Sequence, residues 1–253
     1  MEVRIKSKKL KGKIIYGDFL ENEKATALVI FLSGLAGGRE SRLLKNSSKW
    51  FFKNGYSTLS LDLCDTTTKK SKNSLKLEDM RISMYLTGLK ETMDFFRKKY
   101  PTTILIGHSF GAVISILFLE KYPKYALNTK LILWDPSILS QIAPWIKGYF
   151  RFDSHTKKYY GKGGGKKIAI NINFYNDLLS AKDSPDIFQS LKHKACIIGA
   201  EKGAKENAKE YFKVLRDKKG FRFHTIRATG HLFGTKKAQK ELFDTTREFI
   251  LHG

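Results

Sequence analysis

Four short, nearly continuous apolar runs constrain this 253-residue chain more than any other feature: ATALVIFL at 25–32, TTILIGHS at 102–109, KLILWDPS at 130–137 and CIIG at 196–199. A strand with one wet face alternates apolar and polar residues. A strand covered on both faces needs apolar side chains on both, and parallel sheets are covered that way by the helices connecting their strands. The intervening segments supply such helices. Ile82, Tyr85, Leu86, Leu89, Met93 and Phe96 recur at helical spacing within 78–99. GAVISILFLEKY at 111–122 is apolar nearly all round, which places it centrally, and Pro123 ends it. Residues 56–63 and 221–227 read as further strands, and Val3–Ile5 and Ile14–Phe19 as an opening pair. Helices are expected over 41–53, 208–215 and 236–250. Strands alternating with helices predict an α/β protein with a mostly parallel central sheet flanked by helices.

The alternation pauses at 137–185, so 1–136 and 186–253 are expected to form one core, with 137–185 inserted as a lid before the penultimate strand. The insertion is rich in aromatic residues, including Trp145, Tyr149, Phe150, Phe152, Tyr159, Tyr160, Phe174 and Tyr175. Partial alternation at 149–153 and 167–172 suggests a hairpin closed by GKGGGKK at 161–167. That glycine-rich stretch lacks the Ser/Thr and spacing of a phosphate-binding loop and reads as a flexible tip.

The net charge of +23 could attract a polyanion. The lysines are nonetheless dispersed, at 8, 9, 11 and 13, at 69, 70 and 72, and at 157, 158, 162, 166 and 167, without the Arg and aromatic clusters of a nucleic-acid reader. No nucleic-acid partner is expected. Cys64 and Cys196 both lie in apolar, strand-like runs, as thiols do in a reducing compartment. The first fifteen residues alternate charged and apolar side chains and do not read as a signal peptide, and no apolar run reaches membrane-spanning length. A cytoplasmic protein without a membrane span is expected. Cys and His never converge at ligand spacing, so neither a metal nor another cofactor is expected.

The second apolar run feeds into Gly107-His108-Ser109-Phe110-Gly111, a G-x-S-x-G pattern between a strand and a helix. Such a turn lifts the serine hydroxyl above the sheet edge, and the helix N-terminus aims free N–H groups at developing negative charge. Serine is a weak nucleophile and needs a base. Of the six histidines, His231 in RATGHLF follows the last strand and falls on the same sheet edge as Ser109. His108 should pack beside the serine rather than face it, and His224 lies mid-strand. An oxyanion hole needs two donors, expected from the amides of Phe110 and of Leu35 in SGLAGG.

With FLSGLAGG, GHSFG and ATGHLF in this order, the chain resembles the α/β-hydrolase family over nearly its whole length, most closely the small lidded esterases of feruloyl/cinnamoyl or monoacylglycerol-lipase type. Two departures stand out. Ser33-Gly34 replaces the usual His-Gly of the oxyanion loop, and the position of the family's aspartate after the penultimate strand falls on Lys202 or Gly203. Three acids could orient His231: Glu201 at that strand end, Asp135 at the end of KLILWD, or Glu206 on the following helix. The resemblance implies a serine hydrolase cleaving carboxylic esters of small to medium apolar or aromatic acyl groups. Trp145, Tyr149, Phe150, Tyr159 and Tyr160 of the lid are candidates to contact this small-molecule substrate. Lactones and thioesters would use the same parts, and a non-catalytic binding protein on the same scaffold is the reading from another class.

Overall fold

The computed structural model describes residues 1–64, 73–163, 165–191, 194–215 and 220–253. Most of the polar linker, including Lys69, Lys70 and Lys72, lies outside the described residues, as does His193. The strands of the main sheet are β1 (Glu2–Lys6), β2 (Ile14–Leu20), β3 (Ala27–Leu32), β4 (Ser57–Asp62), β5 (Thr102–His108), β6 (Thr129–Trp134), β10 (Ala195–Lys202) and β11 (Phe221–Gly230). A smaller sheet holds β7 (Arg151–Asp153), β8 (Lys158–Gly163) and β9 (Lys166–Asn171). The helices are α1 (Arg42–Lys53), α2 (Ile82–Phe96), α3 (Phe110–Lys121), α4 (Leu139–Tyr149), α5 (Ile172–Ser180), α6 (Ser184–Ser190), α7 (Lys205–Leu215) and α8 (Lys236–His252).

The main sheet runs in the order β1-β2-β4-β3-β5-β6-β10-β11. β2 is antiparallel to both of its neighbours, and every pair from β4 to β11 is parallel. Side chains along each central strand alternate between two cores. Leu28, Ile30 and Leu32, with Leu105, Leu131, Leu133 and Ile197, join the core beneath α2, α3 and α7. Val29, Phe31, Ile104, Ile106, Ile132, Trp134, Cys196 and Ile198 join the core beneath α1 and α8. Two covered faces are why the runs are apolar without a break. Every residue of α3 from Phe110 to Leu119 is buried, so this helix has no polar stripe.

Between β6 and β10 come α4, the small sheet, α5 and α6. The hairpin differs from expectation. β9 pairs with β8, from Lys158↔Asn171 to Gly163↔Lys166, and 151–153 adds only a third, outer strand along β8. The described part of the glycine-rich stretch is mostly strand rather than tip, because Gly161 admits the Phe150 ring: a Cβ there would lie 2.5 Å from it. A Cβ on Gly163 would lie 2.8 Å from Ala36 Cβ, so the hairpin end rests on the loop after β3.

The chain leaves β3 for β4 on one side and continues from β5 to β6 on the other. The carboxyl ends of β3 and β5 therefore flank a topological switch point, where α/β sheets open a crevice for ligands. Among the described residues no helix is long and apolar enough to cross a membrane.

Candidate active site

Ser109 stands at that switch point, between the end of β5 and the start of α3, with φ 55° and ψ −119°. This conformation is strained for a residue with a Cβ, and its surroundings must hold it. A Cβ on Gly107 would lie 2.5 Å from the backbone of Ala112, and one on Gly111 2.5 Å from Leu32 O, so helix and strand can close on the turn only with glycine at both positions. The Ser109 amide donates to Trp134 O at 3.0 Å, and its carbonyl accepts from Ala112 N at 3.1 Å and Ser137 N at 3.3 Å. The Ser109 hydroxyl pairs with Ser137 Oγ at 3.1 Å.

Phe110 and the loop that carries Leu35 both adjoin the serine. Phe110 is the first residue of α3, whose N-terminus has no side-chain cap, so its amide belongs to the set that a helix leaves without intrahelical partners. Leu35 lies on the loop after β3, and this loop abuts Ser109: a Cβ on Gly34 would fall 3.2 Å from Ser109 Cβ and 3.4 Å from Oγ. The loop is fixed at both ends. Gly37 N donates to Gly34 O at 2.9 Å, and Arg39 N donates to Asp62 Oδ1 at 2.7 Å. The buried Arg39 guanidinium forms ion pairs with Glu2 at 2.7 Å, Asp62 at 3.3 Å and Asp18 at 3.5 Å, and stands over the Tyr16 ring.

Asp135 leaves the end of β6 at φ 41° and is fully buried. Its amide donates to Ile198 O at 2.7 Å. Its Oδ1 accepts from Ala200 N at 2.9 Å, and its Oδ2 accepts from Ala204 N at 2.8 Å and lies 2.5 Å from His231 Nδ1. A carboxylate can only accept, so Nδ1 carries the proton and Nε2 keeps a free lone pair. Gly203 makes the contact possible: a Cβ there would sit 2.3 Å from Asp135 Oδ2. Glu201 points elsewhere, its Oε2 accepting from Ala228 N at 2.8 Å, and Glu206 forms an exposed ion pair with Lys209.

His108 is buried behind His231, with ring centroids 4.7 Å apart. Its Nε2 lies 2.8 Å from His231 O, and since a carbonyl only accepts, Nε2–H is the donor. Burial, reinforced by the neighbouring His231 imidazole, brings the His108 pKa down to about 4, so this ring is neutral at physiological pH. Asp135 thus fixes the His231 ring and His108 its backbone. His224 pairs instead with Glu241 at 3.0 Å.

A narrow cavity, with about 20 Å³ open to the centre of a water-sized sphere, lies between the loop after β3, the end of β4 and the start of α3, and is lined by neither Ser109 nor His231. Leu35, Leu61, Leu63, Cys64, Tyr85, Phe110 and Ile114 form its apolar wall. The aromatic residues expected from the lid are absent from that wall. Phe150 is buried against Gly161 and Trp145, Tyr159 stacks on Tyr175 at 4.6 Å, and Trp145, Tyr149 and Tyr160 face solvent, Tyr149 with 78% of its surface. Leu63, Cys64 and Tyr85 went unrecognised in the sequence. The available signal was that β4 lies next to β3 and ends on the same sheet edge.

The model of a hydrolase family, described as serine aminopeptidase, S33, matches residues 23–162, more than half of the chain. The chain is an α/β hydrolase of that family. No curated protein sequence matches it. Solved structures share the hydrolase fold at low identity. Est1E from Butyrivibrio proteoclasticus, bound to ferulic acid, superposes with a TM-score of 0.74 at 18% identity, covering 98% of each chain. DcsB in complex with a substrate analogue gives 0.74 at 18% identity over 99% of this chain and 97% of the other. Dienelactone hydrolase from Anabaena variabilis gives 0.67 at 13% identity over 100% and 96%.

Proposed function

We propose that this hydrolase cleaves carboxylic esters of small to medium apolar acyl groups through an acyl-enzyme on Ser109. The supporting observation is the buried Asp135 carboxylate 2.5 Å from His231 Nδ1, beside a serine held in a strained turn. In this reading Ser109 rotates its hydroxyl from Ser137 to His231 Nε2, loses its proton to that nitrogen and attacks the ester carbonyl. The Phe110 and Leu35 amides hold the oxyanion. His231 then protonates the leaving alcohol, and Asp135 stabilises the imidazolium. Water attacks the acyl-enzyme by the same route and releases the acid. The segment α4–α6 with its small sheet acts as the cap over the crevice.

The family description names a peptidase, but the cavity wall argues for an ester. An aminopeptidase must bind an ammonium group, whereas the one carboxylate on that wall, Asp62, is engaged by the Arg39 amide and guanidinium. The apolar remainder favours a short acyl group over a charged one. The ester leaving group requires no subsite for a P1′ residue, and lactones or thioesters would react through the same atoms. A fluorophosphonate probe should label Ser109, and a p-nitrophenyl ester panel should peak at short acyl chains. Turnover surviving in Ser109→Ala, or an unlabelled wild-type protein, would refute the mechanism.

A further inference from the structure

The nucleophile has a neighbour that the mechanism above leaves idle once the reaction starts. Ser137 Oγ lies 3.1 Å from Ser109 Oγ, and the Ser137 amide donates to Ser109 O at 3.3 Å. The residue is held from behind: Tyr211 OH donates to Ser137 O at 2.9 Å and pairs with Ser184 Oγ at 2.7 Å, while Ser184 Oγ also accepts from Leu139 N at 3.1 Å. Pro136 fixes the backbone just before it. Tyr211 and Ser184 are both buried, so the hydroxyl stands on a braced main chain rather than on a loose loop.

Its placement relative to the reaction is defined by strand order. β5 carries Ser109, β3 with its oxyanion loop lies on one side, and β6 with Ser137 lies on the other. β10 and β11, which lead to the His231 side, follow β6. The acyl oxygen belongs on the β3 side, and the leaving group, and later the attacking water, on the side of the imidazole. Ser137 stands on that second side.

We infer that Ser137 is a catalytic residue of the second half-reaction, orienting the water that hydrolyses the acyl-enzyme; this rests on the ester-hydrolase reading. In the free protein its hydroxyl is satisfied by Ser109. Acylation converts Ser109 Oγ into an ester oxygen, a poor acceptor and no donor, and Ser137 loses its partner. A water molecule in the vacated position donates one proton in a hydrogen bond to Ser137 Oγ and the other to His231 Nε2. The water oxygen forms the new bond to the acyl carbon and His231 takes its proton. The carbon–Oγ bond of Ser109 then breaks and His231 returns a proton to Ser109. Ser137 holds the water throughout and gains or loses no proton. The device follows from taking the acid from β6, since Asp135 and Ser137 then share one turn.

Carbamoylation with a p-nitrophenyl carbamate separates the two halves: nitrophenolate release reports attack by Ser109, and recovery of activity reports attack by water. In Ser137→Ala the first rate should stay within about two-fold of wild type, while the second falls about ten-fold, the worth of one hydrogen bond. Ser137→Thr, which keeps the hydroxyl, should restore recovery to within about three-fold. Equal losses in both halves of Ser137→Ala would mean a structural role, and unchanged rates would mean none; either overturns the inference alone. A wild-type protein that forms no carbamoyl adduct on Ser109 would overturn the ester-hydrolase reading together with it.

Discussion

Replacing Asp135 by Asn is the most informative single change. The carboxylate is fully buried and receives three contacts: Ala200 N on Oδ1, and Ala204 N and His231 Nδ1 on Oδ2. An amide offers one acceptor oxygen and one NH2 donor. With the oxygen at the Oδ2 position, the contacts to His231 and Ala204 persist, and the NH2 confronts the Ala200 amide. With the oxygen at Oδ1, the NH2 confronts Ala204 N–H and forces His231 into the tautomer whose Nε2 cannot accept a proton. Both orientations leave a buried donor opposed, at about 1–3 kcal/mol of stability. Both also remove the negative charge that stabilises the imidazolium. Loss of such an orienting acid costs about 10⁴ in kcat, or about 5.5 kcal/mol of barrier. Glu201→Gln should change kcat by less than about three-fold, because Glu201 contacts the Ala228 amide and not the imidazole. The assay is steady-state hydrolysis of a p-nitrophenyl ester, with urea denaturation of each variant as the check on folding. An inactive Glu201→Gln beside an active Asp135→Asn would refute the reasoning outright.

Two further outcomes follow from the same contacts. Gly203→Ala places a methyl 2.3 Å from Asp135 Oδ2, so the carboxylate must move off His231; kcat should fall about 100-fold, and esterase activity above half of wild type would contradict it. His108 has its pKa lowered from 6.5 to about 4, so its contribution to stability is complete above about pH 6.5 and is lost as pH falls through about 4, amounting to about 3 kcal/mol. Urea midpoints between pH 7 and pH 4 should therefore decline more steeply for wild type than for His108→Gln, and parallel curves would refute the assignment.

The sheet was legible because its signal is chemical and local. Strands buried on both faces favour apolar side chains on both, and the runs at 25–32, 102–109 and 130–137 cover β3, β5 and all but the first residue of β6. The serine was legible because Gly107 and Gly111 sit where any Cβ would strike backbone. That His231 falls on the same sheet edge as Ser109 could be read from topology alone. The acid could not, since Asp135 and Glu201 both end neighbouring strands and only the side-chain direction separates them. In hindsight Gly203 carried a clue: a glycine at the strand end leaves room for a carboxylate arriving from next door. The lid misled for a different reason. Aromatic content says nothing of direction: Phe150 buries itself within the insertion, Tyr159 lies half-buried on Tyr175, and Tyr149 turns to solvent.

The Arg39 ion pairs tie the outer margin of the sheet to the loop that carries Leu35. Glu2 on β1, Asp18 on β2 and Asp62 at the end of β4 converge on one guanidinium, and the residue that carries it terminates the loop bearing Leu35. Fraying of β1 from β2 would release Glu2 and leave Asp18 and Asp62 to hold the guanidinium. In the proposed mechanism, mutations at this periphery, with no contact to substrate, would reach the rate through the loop that carries Leu35.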